Sequence, residues 1–407
     1  MSLLSSLSMG ARSLMAHQAR IQVTGHNISN ASTEGYTRQR VNLVAEFPED
    51  LQVGILGRGV RISSIERLTD EFLNSSLRKG SSDLKSLDIK QFALTQSQSV
   101  FQDLSDGDLS SALTKFYESL DELAQRPDDT AVRRNVLEAA RNLGSLFRTI
   151  STGLKGIQKN LNDEVGTSVT QVNALVTDIA DLNQKILEAR SAGAGDSREP
   201  NDLMDQRDLK LRKLSEYLEI KVFEQSDGQV NVFADGDPLV MQNVANTLTT
   251  TTTVTNGVST STPVFSNNNG PVVLRSGRLE GLVTSRDVTS PKYLGDLNTL
   301  ATAVIQEFNK QHAKGMGLTG FSSLKAGNAV TSPTADLDAA GLAPTPVNGS
   351  FTVHVTNRNT GEVVSTNISV DLDSIGSDTT LASLTADLDA IANLSASVGT
   401  DNKVTIS

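Results

Sequence analysis

Four sets of residues in this chain have the types that site chemistry uses. The first is its histidines, of which there are four, His17, His26, His312 and His354. They are far apart in sequence and form no HExxH or HxH pattern, which argues against a His-based metal site. The second is Asp202, Asp205 and Asp208, at spacings that share a helix face. Paired carboxylates can do acid–base work, but Arg207, Lys210 and Arg212 stand among them, so the expectation is a solvated, salt-bridged face. The third is Asp227, Asp235 and Asp237, which lack the order of a calcium loop, with oxygen ligands at every second position and a closing Glu. The fourth is Gly54, Gly57 and Gly59 in GILGRGVRI. A phosphate cradle needs a helix directly after it, with Lys and Ser/Thr at fixed spacing. A strand-like VRISSI follows instead, so these glycines read as turn residues. No nucleophile–base pair emerges either. The chain is expected to be no enzyme and to hold neither metal nor cofactor.

Composition narrows the rest. Thirty-six basic residues against 47 acidic ones give a net charge of -11, which argues against nucleic acid as a partner. The chain has no cysteine, which excludes disulfides and thiolate chemistry. It has no tryptophan and only 4% aromatic residues, so its cores must be aliphatic seams. No apolar run approaches the roughly 20 residues of a membrane helix, so no membrane insertion is expected. The start, MSLLSSLSMGAR, lacks the pattern of a standard secretory signal. Asn27-Ile-Ser29 and Asn30-Ala-Ser32 match the glycosylation acceptor pattern, which arises often by chance.

These residues are positioned by elements whose periods are legible. Leu3, Leu7, Gly10, Leu14, His17 and Ile21 recur in steps of four and three, a narrow apolar stripe on a helix. Two readings are open: a helix docked on the next domain, or an intermolecular seam. Asn, Ser, Thr and Gly over residues 27–35 end that helix, and residues 36–44 alternate as a strand. Leu73, Leu77, Gly80, Leu84, Leu87, Gln91, Leu94, Gln98 and Phe101 repeat the four–three pattern. After a turn at Asp106-Gly107, so do Leu109, Leu113, Phe116, Leu120 and Leu123. Pro127 and the acidic residues after it stop that helix and cap the next. The longest helix is predicted from about Thr130 to Arg190, on the order of 90 Å. Its seam runs from Val136 to Ile186, with one stutter around Leu161. Such periodicity predicts a mainly α, elongated, coiled-coil-like helical bundle.

Beyond residue 217 the pattern changes. IKVFEQ and QVNVFA flank Asp227-Gly228 as a β-hairpin. Residues 247–270 are nearly all Thr, Ser and Asn, a long exposed loop or an irregular hairpin tip. Residues 272–288 read as strand and turn. Tyr293, Leu297, Leu300, Val304 and Phe308 mark a helix over about 290–314, ending at Lys314-Gly315. Residues 326–348 read as a linker, and 349–407 as strands around one amphipathic helix, in ββαββ order. Four regions follow: 1–66, an N-terminal helix and extended assembly segment; 67–217, the long-helix rod; 218–320, mixed β; and 321–407, an outer α+β module.

Asn27, Ile28 and Asn30, with Gly35, Tyr36, Arg38 and Gln39, resemble the N-terminal signature of the bacterial flagellar axial proteins, which form rod, hook and hook-associated parts. GRGVRISSIERLTDEFLNSSLR, residues 57–78, is similar to the hook-associated members of that family. So are residues 107–148 and 201–222, and, in part, SGRLEGLVTSRD and IQEFNKQHAKGMGLTG. The final ββαββ pattern resembles small modules inserted in the outer parts of axial proteins. The resemblance implies a structural part of the flagellum at the junction of hook and filament. It implies export through the flagellar type III apparatus and an extracellular location. It also implies partners: a ring of identical subunits, hook protein, a second junction protein on the filament side, and an export chaperone. Leu3, Leu7, Leu14 and Ile21 would form the assembly seam. The family closes with helices that return to the rod, whereas this chain stops inside an apparent strand at Ser407, as a truncated product would. Two other readings stand beside it: another axial protein of hook or rod, and a cytoplasmic coiled-coil scaffold.

Overall fold

The computed structural model describes all residues except 1–2, 52–53, 103–107, 192–198, 256–257, 313–314, 316–319 and 343–344. The expected turn at Asp106-Gly107 and Lys314 lie outside the described residues. The chain divides into two compact units, Met1–Asn298 and Thr299–Ser407.

The first unit begins with helix α1 (Leu3–Ser29). Strands β1 (Gln39–Ala45) and β4 (Val60–Arg67) pair antiparallel, and the short β2 (Glu49–Leu51) and β3 (Gly54–Leu56) form a hairpin between them. Helices α2 (Glu71–Gln102), α3 (Leu109–Gln125), α4 (Thr130–Ser191) and α5 (Asn201–Tyr217) follow. The 62 residues of α4 span about 93 Å at 1.5 Å per residue. The four–three seam is the reason this helix exists. Ile150, Leu154, Val165, Val172, Val176, Ile179 and Ile186 are each fully enclosed. Its first half packs on α3; the remainder packs on α2, α5 and the elements after them.

α2 differs from the expected arrangement. Leu73, Leu77, Leu84, Leu87 and Leu94 are exposed, and the packed face is Ser82, Ser86, Ile89, Ala93 and Ser97. Close approach explains the choice of small residues. A Cβ on Gly281 would lie 2.8 Å from the Ser86 carbonyl oxygen, and one on Gly153 would lie 2.8 Å from a Val100 methyl. Serines and glycines let helix axes approach where leucines would hold them apart.

The expected hairpin after α5 is present and extends to four strands, β5 (Lys221–Glu224), β6 (Val230–Ala234), β7 (Asp237–Met241) and β8 (Val244–Ala245), in that order. The Thr-rich segment is neither a loop nor an irregular tip. It forms two eight-residue strands, β9 (Leu248–Thr255) and β10 (Val258–Phe265), in continuous antiparallel register. Threonine favours this conformation because its branched Cβ fits a pleated ribbon. Asparagines on α4 fix the sheets to the helix. Asn173 donates to the Leu248 carbonyl at 2.8 Å and accepts from the Leu248 amide at 2.7 Å. Asn183 does the same with Val230, at 2.7 and 3.1 Å. Asn162 accepts from the Ser261 amide at 2.6 Å.

The strand and turn expected over residues 272–288 is corrected to helix from Gly277 on: α6 (Gly277–Thr284), a π-helical turn (Ser285–Thr289) and α7 (Ser290–His312). Leu279 and Leu282 are buried against the bundle. Gly277, at φ +91°, opens α6 hard against the backbone of Tyr217. The expected α7 residue Leu297 is buried, whereas Leu300 and Ile305 beyond it are exposed.

The second unit contains β11 (Leu324–Lys325), β12 (Gly349–Thr356), β13 (Val363–Val370), α8 (Leu381–Asp389), β14 (Ala396–Val398) and β15 (Val404–Ile406). β12 pairs with β13, while β15 lies between β11 and β14. Thr380 and Ser383 close a capping box at the start of α8. Residues 326–348 are more than a linker. Val330, Leu337 and Ala340 are buried with Leu381 and Val404, and the Ala382 amide donates to the Pro333 carbonyl at 2.9 Å.

Candidate assembly site

α1 has two faces. One, with Ala16 at 2% exposure and Met9, Ala19, Val23 and Asn27 half-buried, packs on β1 and β4. Gly59, at φ +90°, brings the chain before β4 so close that a Cβ there would meet the Met9 side chain at 2.9 Å. The other face is bare. Leu7, Leu14, Ile21 and Ile28 follow one another at seven-residue steps and are 72%, 70%, 72% and 72% exposed. Leu3 belongs to the same helix; its side chain lies outside those described. One face of this helix is therefore docked, on the strands that follow it.

The signature residues lock the end of α1 to β1. Asn27 works as a two-way bracket: its amide donates to the Gln39 carbonyl at 2.9 Å, and its oxygen accepts from the Gln39 amide at 2.9 Å. The same oxygen accepts from the Tyr36 hydroxyl at 2.7 Å. Tyr36 also meets His26 at 3.1 Å, ring edge to ring face. Asn30 caps the helix by donating to the His26 carbonyl at 3.0 Å and accepting from Thr33 at 3.2 Å. Gly35 turns at φ +81°, a conformation that suits glycine, with Leu209 of α5 packed beneath it. Arg38 is exposed and contributes its carbonyl, which accepts from Leu68. Burial, with Asp205 and Asp202 nearby, holds the Tyr36 hydroxyl above the usual tyrosine range.

The same segment is clamped to α5. Arg67 at the end of β4 reaches Asp205 at 2.9 Å and Asp208 at 2.6 Å. Asp205 also accepts from the Thr37 amide at 3.1 Å, Asn201 donates to the Ile65 carbonyl at 2.9 Å, and Glu34 pairs with Arg212 at 2.7 Å. Burial works to lower the Arg67 guanidinium, but Asp208 and Asp205 outweigh it and hold it above its ordinary value. The expected solvated face over 202–212 is thus corrected in part. Asp205 and Arg207 are buried, at 6% and 1% exposure; a segment more than a hundred residues earlier, with Thr37 and Arg67, covers Asp205. Arg207 turns inward to Asn183 and the Gly228 carbonyl, and burial lowers its guanidinium below the ordinary value. Lys210, paired with Asp178, stays at the surface.

The other candidates are structural in their surroundings. Asp235 holds Arg275 with both oxygens, and Asp227 caps the Gln229 amide. His312 stacks on Phe308, and His354 meets Ser365 at 2.7 Å. Sequence reasoning passed over one cluster, Asp371, Asp373 and Asp378, whose oxygens gather within 4.8 Å. Desolvation and the negative charges of Asp336, Asp338 and Asp371 hold Asp378 above the usual carboxylate range. Among the described residues no helix is long and apolar enough to cross a membrane.

The model of the flagellar hook-associated protein FlgK helical domain matches residues 94–328, and that of the flagella basal body rod protein matches residues 7–37. The chain is 36% identical over 238 residues to flagellar hook-associated protein 1 of Bacillus subtilis, covering 56% of this chain and 46% of that one. It is 31% identical over 314 residues to the protein of the same name from Salmonella typhimurium, covering 75% and 56%. The chain thus spans about half the length of these relatives. In fold it is similar to the flagellar hook junction protein FlgK from Burkholderia pseudomallei, with a TM-score of 0.53 at 22% identity, over 82% of this chain and 62% of that one. The rod-protein match falls on the latch and bare stripe, and the helical-domain match on the bundle behind them, so the chain belongs to the flagellar hook-associated protein 1 (FlgK) family.

Proposed function

We propose that this chain is a structural, non-catalytic subunit of the bacterial flagellum that joins hook to filament. It acts after export by the flagellar type III apparatus, outside the cell. Its partners are further copies of itself in a ring, hook protein on one side and a second junction protein on the other, with a chaperone before export. The observation that carries this reading is the bare stripe Leu7, Leu14 and Ile21 on a helix whose opposite face is latched in place. Such a stripe stays in water only until a neighbour covers it, at roughly 25 cal/mol per Å² of apolar surface. Electron microscopy of cells lacking the gene tests the reading. Hooks without filaments, with filament protein lost to the medium, are expected. Absent hooks would move the protein to rod or hook. Unchanged flagella would favour a cytoplasmic scaffold.

A further inference from the structure

The antiparallel arm formed by α3 and the first half of α4 has two opposed edges of opposite charge. The helices meet through Phe116 of α3 and Val132, Val136 and Leu143 of α4, all buried. At 100° per residue, the side of α3 turned away from α4 carries Glu118 and Asp121, both exposed. The side of α4 turned away from α3 carries Arg134, Arg141 and Arg148 at seven-residue steps, continued by Lys155, with Glu138 as the acidic residue among them, and all five are exposed. Arg141 has Glu138 at 2.6 Å; Arg134, Arg148 and Lys155 have no ion-pair partner among the described residues.

The two edges also match in height. The helices turn at Pro127, and Asp121 and Arg134 stand nearly the same distance from it along their helices. A copy displaced sideways, without axial shift, therefore sets its Asp121 level with Arg134. Tyr117 and Leu137, which are 51% and 57% exposed, stand level with each other on one flank of the arm, each next in sequence to a buried seam residue.

We propose that this arm docks edge to edge on a second copy of the chain, acidic α3 edge against basic α4 edge. The contact is heterologous, since each copy offers one edge and accepts the other, and repetition of it generates a ring or helix of subunits. It names a surface for the ring of the proposed junction and rests on that reading only for the ring. Exposed charges seven residues apart act mainly by orienting partners, so the contact sets register and is sensitive to salt.

The chain has no cysteine, which makes a cross-linking test free of background. Full-length Asp121→Cys and Arg134→Cys chains, each checked for native circular dichroism, are mixed at low ionic strength under mild oxidation. The mixture is expected to form covalent dimer at least about tenfold faster than either variant alone, with the excess lost at about 0.5 M salt. Adding Arg141→Glu to the Arg134→Cys chain should also remove it. Equal rates in the mixture and in the single variants would overturn the proposal. The assay uses purified chain, so a positive result beside normal flagella in the deletion strain would sink the junction reading alone. A negative result beside hooks without filaments would sink the edge contact alone.

Discussion

Asp205→Ala should release the N-terminal segment from the helical bundle while leaving the bundle folded. Asp205 accepts from Arg67 at 2.9 Å and from the Thr37 amide at 3.1 Å, with the side chains of both Asp205 and Arg67 only 8% exposed. Loss of a charge-assisted hydrogen bond is worth about 1.5–3 kcal/mol, and an orphaned buried N–H about 1–3 kcal/mol. Asp208 remains on Arg67 at 2.6 Å, so the full effect of an unpaired buried charge does not apply. The expected sum is about 3 kcal/mol, which corresponds to roughly a hundredfold faster opening-limited exchange. Amide hydrogen exchange reads it directly. Thr37 and the β1–β4 ladder should lose about two decades of protection, while the α4 core amides near Val172 stay unchanged. Asp205→Asn, which keeps an acceptor for Thr37, should lose roughly half as much. Unchanged protection at Thr37, or equal loss at Val172, would refute the idea of a local clamp.

Three further outcomes are expected. Asn183→Ala removes both bonds to Val230 and one from Arg207, so it should destabilise the chain by about 3 kcal/mol in urea melts; a change below about 0.5 kcal/mol would contradict the bracket. Gly281→Ala puts a methyl 2.8 Å from a backbone oxygen of α2 and should lower stability by about 1–3 kcal/mol, seen as a lower melting temperature. Glu280 carries a pH dependence: burial would raise its carboxyl, but hydrogen bonds from Lys90, Ser86 and Thr284 outweigh that and hold it below the usual glutamate range. A depressed folded value means the contribution is complete above about pH 4.3 and is lost as pH falls through the lower folded value. Glu280→Gln should therefore reduce stability near neutrality and flatten its decline in acid; parallel melting curves for the two proteins between about pH 5 and pH 2.5 would contradict this.

What the sequence disclosed follows from where the physics is local. The α4 seam is readable because each buried residue is set by its own helix, and a seam of four–three steps from Val136 to Ile186, broken by one stutter, leaves no other element. The α1 stripe is readable for the same reason, and its bare state follows from the covered face lying elsewhere on the same helix. The orientation of α2 was not readable. Its leucines carry the stronger apolar signal, yet close packing selected Ser82, Ser86 and Ala93, and only the position of Gly281 two hundred residues later decides that. Asp205 looked like its neighbours because its cover, Arg67 and Thr37, is remote in sequence. The asparagine brackets at 162, 173 and 183 carry no periodic apolar mark, so pattern reading passes over them. Residues 272–288 alternate weakly and contain glycine; burial of Leu279 and Leu282 made them helical against that local preference.

The central claim, that the bare stripe of α1 binds this subunit into the flagellum, is tested most directly by filament counts on cells whose sole gene copy encodes Leu14→Asp. Leu14 is 70% exposed, so the substitution should leave the fold within about 0.5 kcal/mol of the parent. The account predicts hooks without filaments, variant protein exported in normal amount, and filament protein shed to the medium. Filaments in wild-type number and length on those cells would contradict it.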